Sequence, residues 1–235
     1  MNNKLIFAIF ILVILLPMQV NSSIMEEHIK VAQTAMDNTV SSPITQELKG
    51  YEDYYHMCQM LVDLSVVYYF SLDSDDGTKL NFFQKLFKIF TFRIGSRYTA
   101  THSINSAFRA LELAKDNPKL KACAYGIATH HIVDSVSHNE AVPEAIKKTN
   151  LWNGLVHSIK EIHDKNLFTN EADRVYSRQI LELGYEPEIV NFFEQVYIYD
   201  PVLSKVDIPK LMDFFITQLQ TTSSKEYRLG FQSFF

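Results

Sequence analysis

The sequence predicts an all-α protein built as a single-domain helical bundle, and three observations carry that expectation. Only 7 Gly and 7 Pro punctuate 235 residues, too few for the many turns of a β-sandwich or barrel. Apolar residues between Thr45 and Leu72 (Tyr54, Cys58, Leu61, Val62, Val66, Tyr69) recur at helical spacing. From Gly126 to His138 polar residues return at every fourth position, a period that a helix turns into one face. Hydrophobic residues at 47% and charged residues at 21% are ordinary for one substantial globular domain. A formal charge of −5 argues against duplex nucleic acid held by broad phosphate neutralisation. Two cysteines, Cys58 and Cys123, are too few for a disulfide scaffold or a zinc ribbon.

The chain opens with residues 1–4, polar with one cation, Lys4, followed by an apolar run from Leu5 to Leu16 and then Pro17. That run is short for a membrane span, which takes about 20 residues, and fits the core of a secretory signal. Val20-Asn21-Ser22 offers a small-residue cleavage site. Residues 1–22 are therefore read as a signal peptide, or an N-terminal membrane anchor if uncleaved, and residues 23–235 as the domain. An exported chain can join Cys58 to Cys123; two buried thiols on helices satisfy the sequence as well.

Helices are expected over 24–37 and 45–72. An acidic turn follows at 71–77, which lacks the spacing and terminal Glu of a calcium loop. Further helices are expected at 79–92, 101–116, 118–139, 143–164, 171–183, 186–198 and 207–222. Asn117-Pro118 marks a boundary, with Pro in the first turn of the next helix; Asp200-Pro201 and Ile208-Pro209 mark later ones.

The histidine helix is the most informative stretch. Gly126, His130, Asp134 and His138 lie along one slowly drifting stripe, which Ile127, Ile132, Val133 and Val136 are expected to bury. Buried polar groups need partners, and metal ions are efficient ones. His130 and His138 stand about 12 Å apart along the axis, which suits two ions with Asp134 bridging between them. Gly126 leaves room for a ligand or a close helix. His131 projects about 100° away and reads as packing. His157 and Glu161, at i and i+4, can offer two ligands to one ion. His102 opens the preceding helix and can present another. Asp53, His56 and His28, each taken alone, read as surface or core.

Gly126-x3-His130-x3-Asp134-x3-His138, preceded by Thr101-His102 and followed by His157-x3-Glu161, resembles the zinc-dependent phospholipase C family, which is akin to the S1/P1-type nucleases. The resemblance covers roughly residues 100–165. It implies an all-α bundle of the phospholipase C type that holds up to three zinc ions and hydrolyses phosphodiesters. His102, His130 and Asp134 would serve one zinc, with Asp134 bridging to a further ion. His138, His157 and Glu161 would hold the second. Asp53 would match an acidic residue near the metals that acts as general base, and His28 or His56 would serve the third ion. The chain departs from the secreted members in two respects. Its only Trp is Trp152, far from the mature start where theirs binds metal, and its Asp134-to-His138 spacing differs.

Imidazole and carboxylate donors suit zinc better than magnesium or calcium, which prefer all-oxygen shells. No Gly-rich phosphate loop or Gly-x-Ser-x-Gly elbow competes. Residues 79–97 combine Phe82, Phe83, Phe87 and Phe90 with Lys79, Lys85, Lys88, Arg93 and Arg97. That segment fits a lipid interface, or a core helix with a solvated basic face. Three functions follow in order. The first is an exported zinc-dependent phosphodiester hydrolase acting on phospholipids. The second is a single-strand nuclease on the same metals. The third is a non-catalytic, metal-binding accessory subunit of a membrane complex, held by an uncleaved N-terminal helix.

Overall fold

A computed structural model describes residues 28–64, 104–136, 171–199 and 207–222, and among these every regular element is helical. Residues 28–38 form α1. Then come α2 (Pro43–Leu48), α3 (Glu52–Leu61), α4 (Ile104–Ala114), α5 (Pro118–Val136), α6 (Glu171–Leu181), α7 (Pro187–Val196) and α8 (Ile208–Thr222), with a 3-10 turn at Glu182–Tyr185 before α7. The all-α expectation holds for these residues. None of their helices is long and apolar enough to cross a membrane. The signal or anchor segment 1–22, the acidic turn 71–77, the basic segment 79–97 and the expected helices 79–92 and 143–164 lie outside the described residues.

Local chemistry sets the helix starts. Ser42 Oγ accepts from Thr45 N at 3.1 Å and Pro43 takes the first position of α2, where a missing N–H costs nothing. Asn117 Oδ1 accepts from Leu120 N at 3.2 Å, so the boundary read at Asn117-Pro118 is the start of α5. Asp207 caps α8 in the same way through Lys210 N.

One expected element is divided. The helix predicted from 45 breaks between α2 and α3 because Gly50 adopts φ +87°, a left-handed conformation that ends a helix and suits glycine. Glu52 then turns back to accept from Gly50 N at 2.8 Å.

α5 packs mainly between α3 and α4. Small side chains permit this: Ala107, Ala110 and Ala114 on α4, and Ala122, Cys123 and Ala124 on α5, are all buried. Met57, Leu61, Ile127, Leu181, Ile189, Phe193 and Met212 fill the core between α3, α5, α6, α7 and α8. Cys58 and Cys123 form a disulfide joining α3 to α5, which resolves the alternative the sequence left open. One turn earlier on both helices, Lys119 Nζ lies 2.8 Å from Glu186 Oε2, and Tyr54 OH donates to Glu186 Oε1 at 2.7 Å.

Candidate metal centre

Three helices converge with matched periodicity. Lys119 lies over the Tyr54 ring, and farther along both helices His130 Nε2 lies 3.8 Å from Asp63 Oδ1, so α3 and α5 run in the same direction. α1 runs opposite, since His28 meets Asp134 while Ala32 clusters with Tyr55 and Ala122. Residues four apart stay on one helix face, so the junction stacks in layers. His28, Asp63 and His130 form the first, the contact of Gly126 with Tyr55 and Gln59 the second, and Ala32, Tyr55 and Ala122, with Met36 packed against them, the third. Gly126 makes the close approach possible. A Cβ there would overlap the Tyr55 carbonyl oxygen and crowd Gln59 N, so a neighbouring helix takes the space that the sequence offered to a ligand or a helix. That contact, one turn before His130, brings α3 near enough for Asp63 to reach the imidazole.

The first layer is buried and polar. His28 is 2% exposed, His130 1%, Asp63 7% and Asp134 8%. Asp134 spans the two imidazoles, with Oδ1 at 3.3 Å from His28 Nε2 and Oδ2 at 3.3 Å from His130 Nε2. The two rings stack with centroids 4.2 Å apart and planes 12° apart. One donor atom from each of His28, His130 and Asp134 falls within 4.8 Å of the others, and this buried group can hold a metal ion. Tetrahedral ligands about 2.1 Å from an ion stand about 3.4 Å from one another. The two His–Asp separations already have that spacing. Asp63 extends the set to two imidazoles and two carboxylates. A single imidazole N–H serves one carboxylate at a time, whereas a cation attracts both. Burial pushes the His28 imidazole below its ordinary pKa, and the neighbouring His130 adds to this. The neutral ring is the form that ligates.

Of the residues singled out in the sequence, the structure brings together His28, His130 and Asp134. His102, His138, His157 and Glu161 lie outside the described residues. Asp53 is exposed and accepts from Tyr176 OH at 2.7 Å. His56 sits in a separate network, with Nε2 3.1 Å from Gln33 Oε1 and Nδ1 3.4 Å from Gln59 Nε2. His131 bonds Ser106 across the α4–α5 contact at 3.0 Å, in keeping with its reading as packing. Two apolar residues expected to bury the stripe do not: Ile132 is 62% and Val136 51% exposed, while Ile127 is fully buried. The buried face of α5 is centred on His130 and Cys123, and Ile132 and Val136 fall on its opposite side. Asp63 is a site residue that the sequence patterns did not single out. Its signal is composition, because it is the only charged residue between Met57 and Phe70, and a carboxylate in an apolar run requires a partner.

His56 yields an expected pH dependence. Burial lowers its pKa from 6.5 to about 4, with Asp53 and Glu52 opposing the shift. The unfolded chain therefore binds the extra proton first, and stability falls with pH. The contribution is intact above pH 6.5 and is lost progressively down to about pH 4. At that limit it amounts to about 3 kcal/mol. Urea unfolding between pH 7 and 4 should show this loss, and His56→Gln should flatten it.

No known protein family, characterised protein or solved structure compared with the chain matches it.

Proposed function

We propose that this protein is an exported zinc-dependent phosphodiester hydrolase of the phospholipase C type, acting on phospholipids. The observation that carries the reading is the buried grouping of His28, His130 and Asp134 from two separate helices. Independently of that grouping, the resemblance implies a zinc role for His130 and Asp134, and one for His28 or His56 at a further ion. Two imidazoles with carboxylates form a donor set suited to zinc. When bound, zinc would lower the pKa of a coordinated water toward neutrality and polarise a phosphoryl oxygen. The chain's own part is to hold Asp134 between the two imidazoles and to keep His28 neutral through burial. The Cys58–Cys123 disulfide supports export, since such bonds persist in oxidising compartments.

A second reading keeps the ion and drops the catalysis, giving a structural metal in an accessory subunit of a membrane complex. The near-complete burial of His28 and His130 favours it, because structural sites are closed and catalytic ones keep an open position. Hydrolysis of phosphatidylcholine vesicles and of single-stranded DNA, each with and without a chelator, separates the readings. Chelator-sensitive release of the head group is expected. Cleavage of DNA alone would favour the nuclease, and bound zinc without activity on either substrate would favour the accessory subunit.

A further inference from the structure

Next to the His28, Asp63 and His130 layer, Gly126 packs on the backbone of Tyr55 and Gln59. Gly126 has no side chain to offer, and the Gln59 carboxamide at this contact is polar and fully buried. Its orientation follows from a chain of hydrogen bonds. Gln33 Nε2 donates to Asp37 Oδ1 at 2.9 Å, so Gln33 Oε1 is left as an acceptor, 3.1 Å from His56 Nε2. His56 must then carry its proton on Nε2, and Nδ1 accepts from Gln59 Nε2 at 3.4 Å. Gln59 Oε1 is thereby fixed as an acceptor, and it has no hydrogen-bond partner among the described residues.

A second buried atom shares that condition: His28 Nδ1 has no hydrogen-bond partner among the described residues, and His28 interacts electrostatically with Asp63, four residues after Gln59. Without an ion, the proton of a neutral His28 belongs on Nε2, 3.3 Å from Asp134 Oδ1. Nδ1 is then an acceptor and cannot bond directly to another acceptor. An ion on Nε2 moves the proton to Nδ1, and the pair becomes donor and acceptor. Metal-ligating histidines characteristically donate their other N–H in this way, which fixes the ring and raises its basicity.

We propose that Gln59 is a positioning residue for the metal centre, its Oε1 accepting the hydrogen bond from His28 Nδ1–H, directly or across one water, once His28 Nε2 holds the ion. The inference rests on the metal reading of the site and adds a residue that does not touch the ion. His56, proposed as an ion ligand from the sequence, gains a different role, since through Gln33 and Asp37 it keeps the Gln59 oxygen turned away from itself.

Zinc affinity tests the proposal, measured by competition with a chromogenic chelator for wild type, Gln59→Met and Gln59→Glu. Gln59→Met should bind zinc about 10- to 100-fold more weakly, and Gln59→Glu, which restores an acceptor, should recover the loss. The metal-free melting temperature of Gln59→Met should stay near that of wild type. The change removes one unpartnered acceptor, Gln59 Oε1, and leaves another, His56 Nδ1. Nitrogen-15 histidine spectra of the zinc-loaded wild type should place the His28 proton on Nδ1, a readout that does not depend on how the variants fold. Equal zinc affinities for wild type and Gln59→Met, or a His28 proton on Nε2 in the loaded protein, would overturn this inference alone. A wild type that binds no zinc would overturn the metal reading and this inference with it.

Discussion

Zinc should raise the melting temperature of the wild-type protein, and His130→Ala should abolish the rise. An ion that binds only the folded state stabilises it by about 2.7 kcal/mol when free zinc is 100 times the dissociation constant. His130 is the residue whose loss removes most of the site. Its Nε2 faces both carboxylates, at 3.3 Å from Asp134 and 3.8 Å from Asp63, and its ring is stacked on His28. Alanine there deletes a ligand, a cross-helix bridge and the surface that holds the His28 ring in place. Asp134→Asn should behave similarly, because it weakens the group that touches both imidazoles. Asp63→Asn should give a smaller loss, since its 3.8 Å contact is the longest in the set. Folding and binding can be told apart by sign. Neutralising either carboxylate removes negative charge from a buried pair, so metal-free stability should fall little or rise, while zinc stabilisation disappears in Asp134→Asn and shrinks in Asp63→Asn. If His130→Ala shifted the melting temperature equally with and without zinc, its role would be packing and the metal reading would fail.

How much of this was legible in the sequence depends on the range of the interaction. Helices were legible because their cause is local. Asn117-Pro118 starts α5, and the boundaries of α6, α7 and α8 fall close to the expected ones. The break at Gly50 was visible as a residue, but the helix marked by the apolar repeat from Tyr54 onward was extended back across it to Thr45. A repeat on one side of a glycine does not say where its helix begins, and the backbone angle shows that the chain has turned. Ile132 and Val136 misled for a related reason. Apolar character gives a tendency to be buried, and the side of α5 that meets α3 was chosen instead by the small residues Gly126, Cys123 and Ala122.

The site was legible where two ligands share a helix, as His130 and Asp134 do at i and i+4. It was not legible where a ligand arrives from another helix. His28 and His56 look alike in sequence, each a lone histidine near an amphipathic stretch. What separates them is register. α1 is placed so that His28 faces Asp134 while Gln33, five residues later, faces His56. No pattern within a single segment encodes that difference. Asp63 was similarly hidden, because its partner lies across the α3–α5 contact that Gly126 permits.

The same contact makes the disulfide the second large lever. The Cys58→Ala, Cys123→Ala double variant should lose about 4 kcal/mol of stability. That is the loop-closure entropy that a cross-link over this separation removes from the unfolded chain, the two cysteines being 65 residues apart. In a domain of this size the loss corresponds to a melting temperature lower by roughly 8–16 °C. Both cysteines are fully buried, so alanine also leaves a small void, and its cost adds to the entropic one. The effect should reach the metal centre. Cys123 lies two turns before His130 on α5, and Cys58 on α3 lies five residues before Asp63, which follows the end of that helix, so the bond holds together the two segments that carry those ligands. Weakened zinc affinity should therefore accompany the lower melting temperature, and reduction of the wild type under partly denaturing conditions should reproduce both. The two effects are separable by the Gln59 variants, which are expected to weaken zinc binding without lowering metal-free stability. A double variant that melts at the wild-type temperature would show that the α3–α5 pair is held by the Gly126 contact and the apolar core alone. Unchanged zinc affinity in a destabilised double variant would show that the first layer keeps its geometry without the cross-link.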